Sequence, residues 1–177
     1  MTAVAAQPAS RLAAWWRRWR FHLSALMLLV PIASAPAFFH EKALFDGKKG
    51  LGERQIGEIT VGPWSVRLAE FRLNEPEAEG RAGYTKTFAL ALCPACVDAV
   101  KAAYLRVGKP RNIRTAGALF SGTPYRQTAE IRIPETARAD DLLWLTLEGW
   151  DGALHQARIP IRDASPVTAA WLARRRS

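Results

Sequence analysis

Both cysteines of the chain fall in one four-residue run, Cys93-Pro94-Ala95-Cys96. Sulfurs at this spacing can do three kinds of chemistry. As thiols they exchange with a disulfide, and the attacking sulfur must be exposed and acidified. As thiolates they hold soft metal ions, either Cu(I) or one half of a zinc site. As a disulfide they pin a loop. Residues that would complete a metal site are scarce: His155 is a weak supplementary candidate, His40 borders an apolar run, and the chain has two methionines in all. There is no glycine-rich phosphate loop, no His-Glu-x-x-His and no Gly-x-Ser-x-Gly. Asp140-Asp141 reads as a solvated corner. Lys109, Arg111, Asn112 and Arg114 surround Pro110 and offer an anion-binding edge, although a strand edge charged against aggregation accounts for the same residues. The leading reading of Cys93–Cys96 is a small structural disulfide, which a partner or Cu(I) visits when it is reduced.

Thr85–Leu92 alternates as a strand, the cysteine motif follows, and Val97, Val100, Tyr104 and Val107 then fall at helical spacing. This strand–motif–helix order resembles thioredoxin-like proteins. The resemblance implies an α/β fold and a membrane-anchored thiol–disulfide oxidoreductase using Cys93 and Cys96, with Ile133-Pro134 in place of the proline loop facing such a site. Leu92 stands where that family usually has an aromatic residue. This is the alternative reading of the chain.

The elements around the motif favour a different architecture. From residue 57 onward the dominant period is two, as in half-buried strands. Ile59 to Leu68 contains two such runs, and the phase slips at Ala69-Glu70 before Phe71-Arg72-Leu73, as a β-bulge requires. Tyr84, Lys86, Phe88, Leu90 and Leu92 share one face of the next run. Further alternations cover Ala103–Val107, Tyr125–Ile133 and Leu143–Leu147. Asp151-Gly152 then predicts a type I′ hairpin turn into Ala153–Ile161. Strands punctuated by turns predict a mainly β fold, an antiparallel immunoglobulin-like β-sandwich of about seven strands. At the end, Ser165-Pro166 supplies an N-cap and an N1 proline for a short basic helix, which would dock on the domain or lie with Trp171 and Leu172 in lipid headgroups.

The other strong signal is N-terminal. The chain has 177 residues, 25 Lys+Arg against 16 Asp+Glu and a net charge of +9. Arg11, Arg17, Arg18 and Arg20 precede an uncharged run from Phe21 to Phe39. A basic, Trp-rich flank before such a run predicts a cytoplasmic N-terminus and an exported remainder. An uncleaved anchor is favoured over a signal peptide cut at Ala35-Pro36-Ala37. Pro31 and Pro36 are expected to break a core helix at this place. The organisation is then a basic N-terminus at 1–20, a transmembrane anchor at 21–39, a juxtamembrane linker at 40–56, an extracytoplasmic β domain at 57–162 and a basic tail at 163–177. Once the terminal arginines are set aside the domain is near neutral, which excludes a nucleic-acid footprint. These features predict a single-pass bacterial inner-membrane protein with a periplasmic domain: a non-enzymatic accessory or binding protein of an envelope system for metal, haem or electron-transfer assembly. Its expected partners are the lipid bilayer and an inner-membrane or periplasmic protein, and its one candidate cofactor is Cu(I).

Overall fold

The computed structural model describes residues 11–45 and 50–175. The first ten residues, Asp46–Lys49 of the linker, and Arg176 and Ser177 lie outside the described residues. The chain divides into two units, Met1–Phe45 and Asp46–Ser177.

The first unit is helix α1, Arg11–Phe45. Its 35 residues make it about 52 Å long at 1.5 Å per residue. The stretch Ala13–Ala43 is long and apolar enough to cross a membrane, and Phe21, Met27 and Ile32 are exposed on it. The helix extends beyond the expected 21–39 at both ends. It also runs through Pro31 and Pro36, and it is an exposed apolar helix, not the core helix that prolines argued against. Each proline removes one backbone hydrogen bond, and the Ser34 hydroxyl donates to the Pro31 carbonyl at 3.1 Å. The carbonyls that lose their donors are those of Met27 and Ile32, and apolar helices tolerate such losses by local adjustment of the backbone and its neighbours.

The second unit is mainly β. Its ten strands are β1 (Arg54–Val61), β2 (Trp64–Glu70), β3 (Glu77–Ala78), β4 (Tyr84–Leu92), β5 (Val100–Val107), β6 (Ala118–Leu119), β7 (Ser121–Thr123), β8 (Arg126–Ile133), β9 (Leu142–Gly149) and β10 (Leu154–Pro160). Seven span seven to nine residues, and three are short. One sheet has the order β1-β2-β4-β8-β7, with β3 beside β4, and the other has the order β10-β9-β5-β6. Every pairing is antiparallel. The inward residues of both sheets form one core that includes Leu68, Phe88, Leu90, Leu105, Ile131, Leu143, Leu145 and Leu147.

One choice between helix and strand is decided, and two local expectations are corrected. Residues 100–107 are strand β5, not helix, because Val100, Ala103, Leu105 and Val107 are buried between strand neighbours. This removes the helix that a thioredoxin-like fold needs after its cysteines. The bulge lies in β1, where the register shifts between Gln55 and Gly57, while β2 runs in even register with β4 from Val66 to Glu70. The β9–β10 hairpin does not use a type I′ turn. Only Gly152 has positive φ, +82°, and Gly149 N–H donates to the Ala153 carbonyl at 2.9 Å. A three-residue loop with glycine in the left-handed position fits this pattern.

After β10 come α2 (Ile161–Ala164) and α3 (Pro166–Arg174). Ser165 caps α3 as expected, its hydroxyl accepting from Thr168 N–H at 3.2 Å. The helix docks on the domain: Ala169, Trp171 and Leu172 are buried, which excludes Trp171 and Leu172 from insertion in lipid. Arg174 pairs with Glu75 at 2.6 Å. Arg175 stacks over Tyr84 and Trp171 at 4.6 and 4.7 Å.

Candidate functional site

β4 belongs to one sheet and β5 to the other, so the chain must cross the core between Leu92 and Val100. The crossing is the cysteine motif. Pro94–Cys96 forms a single 3-10 turn, closed by Cys96 N–H donating to the Cys93 carbonyl at 2.9 Å. Cys93 and Cys96 are joined in a disulfide with their Cα atoms 5.1 Å apart. Cys93 N–H donates to the Ser65 carbonyl at 3.1 Å, so the turn is also sewn to β2. Cys96 is buried, whereas Cys93 is half-buried and Pro94 and Ala95 are exposed.

Three other turns meet at this end of the domain. Leu92 N–H donates to the carbonyl of Pro124 in the β7–β8 turn at 2.9 Å, and Trp150 N–H in the β9–β10 loop donates to the Ala99 carbonyl at 3.2 Å. The β1–β2 turn, Gly62-Pro63, is the third. A hollow of about 290 Å³ runs beside the disulfide, lined by Glu58, Arg67, Cys93, Pro94 and Tyr125 among others. Two large aromatics stand out from these loops: Tyr125 is 63% and Trp150 69% exposed. Neither had been singled out as functional from the sequence. Their signal was an aromatic residue inside a turn, where packing does not demand one.

His155 lies at the same end but in a packing role. It points inward from β10, where its ring meets Trp64 edge-on with centroids 5.0 Å apart. Gly62, at φ +63°, leaves room for it, since a Cβ there would stand 2.2 Å from His155 Nδ1. His40 is part of α1. Among the described residues, no three His, Cys, Asp or Glu side chains are close enough to hold a metal ion. Asp141 builds a turn, its carboxylate accepting from Arg138 N–H at 2.8 Å. Lys109, Arg111, Asn112 and Arg114 are not on a strand edge; they belong to a loop and a 3-10 turn, Ile113–Thr115.

The opposite end holds a polar cluster that sequence reasoning missed. Glu70 and Lys86 are both fully buried and pair at 2.8 Å. Glu70 Oε1 also accepts from the Ser165 hydroxyl at 2.5 Å. Lys86 Nζ donates further to the Arg72 carbonyl at 2.8 Å, to Asn74 Oδ1 at 2.9 Å and to the Asn74 carbonyl. Glu70 Oε2 has no hydrogen bond and faces the Arg54 guanidinium at 4.0 Å. Arg54 itself donates to the Ala164 and Asp163 carbonyls at 2.9 and 2.7 Å. With every lysine proton satisfied, the cluster ties β1, β2 and β4 to the start of α3.

A family model described as "Uncharacterised conserved protein UCP029505" matches residues 15–162. The chain belongs to this family. The UCP029505 match takes in α1 from Trp15, all ten strands and the cysteine turn, and it stops before α3. No curated protein and no solved structure matches the chain.

Proposed function

We propose that the chain is a membrane-tethered accessory or binding protein of the bacterial envelope. In this reading α1 is a single-pass anchor with its N-terminus in the cytoplasm, and the β domain works in the periplasm. The cysteine-turn end meets an inner-membrane or periplasmic protein. A tether of this kind raises the effective concentration of the domain beside a membrane partner. One observation carries the reading: the disulfide braces a strand-to-strand crossing between exposed Tyr125 and Trp150, and it is not set at the start of a helix whose N–H groups would acidify a thiol.

We further read the two sheets as an immunoglobulin-like sandwich. Support comes from strand order: β2-β4-β8-β7 and β10-β9-β5 correspond to the A-B-E-D and G-F-C arrangement of that fold. The cysteine turn is then the B–C loop and Trp150 sits in the F–G loop, two of the loops that variable domains use for binding. This is a fold-level analogy.

Incorporating a photo-crosslinker at Trp150 or Tyr125, with Arg162 at the far end as control, tests the docking end in cells. The expected result is one defined membrane or periplasmic adduct from the first two sites and none from the third. Equal labelling from all three, or none from Trp150 and Tyr125, would sink the proposal.

The oxidoreductase reading has one observation in its favour, the greater exposure of Cys93 over Cys96. Exchange of the wild-type disulfide with glutathione at a rate above that of an unstrained peptide disulfide would support it, and resistance would remove it. For Cu(I), the two thiolates of the reduced protein are the donors. Anaerobic titration should show stoichiometric binding that the Cys93→Ser, Cys96→Ser variant lacks; no binding ends that reading.

A further inference from the structure

Positive charge gathers on the outward face of the β10-β9-β5 sheet and on the loop over it, at Lys109, Arg111 and Arg158. β5 ends at Val107, and Gly108 N–H donates to the Leu142 carbonyl at 2.9 Å, which turns the chain back across β9 and β10. Thr115 fixes the shape of the returning loop. Its hydroxyl accepts from Arg111 and Asn112 N–H at 2.9 and 3.1 Å, and its carbonyl accepts from Arg106. Pro110 is buried and anchors the loop, while Lys109 and Arg111 remain exposed.

Between loop and sheet lies an open pocket of about 310 Å³, whose lining includes Lys109, Arg111, Asn112, Ile113, Thr146 and Gln156. Lys109 Nζ stands 5.7 Å from the Trp144 ring centroid, and the Arg158 guanidinium stands 6.0 Å from the same centroid. The carboxylate that β9 places on this face, Glu148, is already held by Lys101 at 2.6 Å and Tyr104 at 3.2 Å. Gln156 Nε2 donates to Thr146 Oγ1 at 3.2 Å, which leaves the threonine proton and the second amide proton for another acceptor.

We propose that this pocket binds a small organic phosphate. Lys109 and Arg111 supply the charge, and Asn112, Thr146 and Gln156 supply neutral donors. These five donor groups exceed what the two oxygens of a carboxylate use well, whereas a phosphate offers three or more acceptor atoms. The pocket also has an apolar wall at Ile113 and Leu154, which a bare inorganic ion does not use. A short organic body can lie along it. The same chemistry is found in free phosphate esters and in glycerophospholipid headgroups.

The test uses full-length protein in neutral-detergent micelles, titrated calorimetrically with glycerol 3-phosphate. The expected result is one-to-one binding, weakened at least about tenfold by Lys109→Ala with Arg111→Ala and left unchanged by the charge control Arg162→Ala. Repeating the titration in phosphatidylcholine nanodiscs with and without phosphatidylglycerol identifies the source. Competition by phosphatidylglycerol assigns the pocket to a lipid headgroup, and unchanged affinity assigns it to a soluble phosphate. Absence of binding in micelles overturns the proposal, as does equal weakening by Arg162→Ala or equal affinity in the double variant. Thermal unfolding of the double variant, expected to match wild type because both side chains are exposed, separates lost binding from lost fold.

Discussion

The two ends of the β domain hold their elements together by opposite means. At one end the join is noncovalent and dry: Glu70, Lys86 and Ser165 bond among themselves, and α3 closes over them. At the other end a disulfide holds the crossing turn while Pro94, Tyr125 and Trp150 face solvent. A buried ion pair is a demanding way to join elements, since both charges lose water and must be repaid by complete bonding. A covalent staple makes no such demand on its surroundings, which leaves the neighbouring loops free to carry exposed aromatics. The closed end thus serves stability, and the stapled end is the one we propose for recognition.

Breaking the closed end should have the largest effect. Lys86→Met strands the Glu70 charge and is expected to cost about 3–5 kcal/mol in urea unfolding, whereas Lys86→Met combined with Glu70→Leu should recover most of that loss. Failure of the second change to rescue would show that the pair is doing more than satisfying itself. Cys93→Ser with Cys96→Ser closes a much smaller question: a loop this short contributes about 2 kcal/mol or less by chain entropy, and the variant should unfold at slightly lower urea yet keep its core. Ser165→Ala removes the cap of α3 together with a Glu70 bond, for about 1–2 kcal/mol. The loss should appear as faster amide exchange at Thr168 and not in β5. Trp150→Ala at the stapled end is expected to leave stability within about 0.5 kcal/mol while abolishing any adduct formed there.

The smallest effects are in the pH profile. Hydrogen bonding to Lys101, aided by Tyr104, holds the Glu148 carboxyl below its ordinary range. The folded chain thus binds this proton less tightly than the unfolded chain, and the associated stability is present above the usual carboxylate range and lost as pH falls through it. Lys101 is shifted upward by the same bond, so its share persists through neutral pH and is lost only above the usual lysine range. Glu79 behaves oppositely: the negative charge of Glu130, then burial, raises its pKa, and acidification through that raised value favours the fold. Lys101→Gln should flatten the acid limb of the stability curve, and Glu79→Gln should raise Tm slightly at neutral pH but not in acid.

The strands and their loops were readable because alternation is a local signal, and most long strands fall where apolar residues recur every second position, with register shifts interrupting it in β1 and β5. The buried pair was in view but unread: Lys86 lies in phase with Phe88 and Leu90, and Glu70 with Val66 and Leu68, so both charges sat on an apolar face. Recognising them as partners requires knowing that β2 and β4 are neighbours, which no local pattern states. After Cys96 the spacing of Val97, Val100, Tyr104 and Val107 allowed the helix of the alternative reading, while Ala103–Val107 alternated as a strand. Pairing with β9 decides for the strand. The pocket under Lys109 depends on a loop folding back over a sheet, and only the basic residues themselves gave notice of it.

Arg54, at the start of β1, is bonded to carbonyls 109 and 110 positions later in the chain. Contacts of that separation form late, because a long loop must close before they return any free energy. As the chain emerges vectorially, Glu70 and Lys86 are available early, yet their lid is not supplied until Ser165 has arrived. Until then the sheets exist without the helix that seals them, with Ala169, Trp171 and Leu172 not yet in place. The seal over the buried pair comes from residues that follow both sheets, and a chain cut just before Ser165 should be more open to proteolysis than one that carries α3.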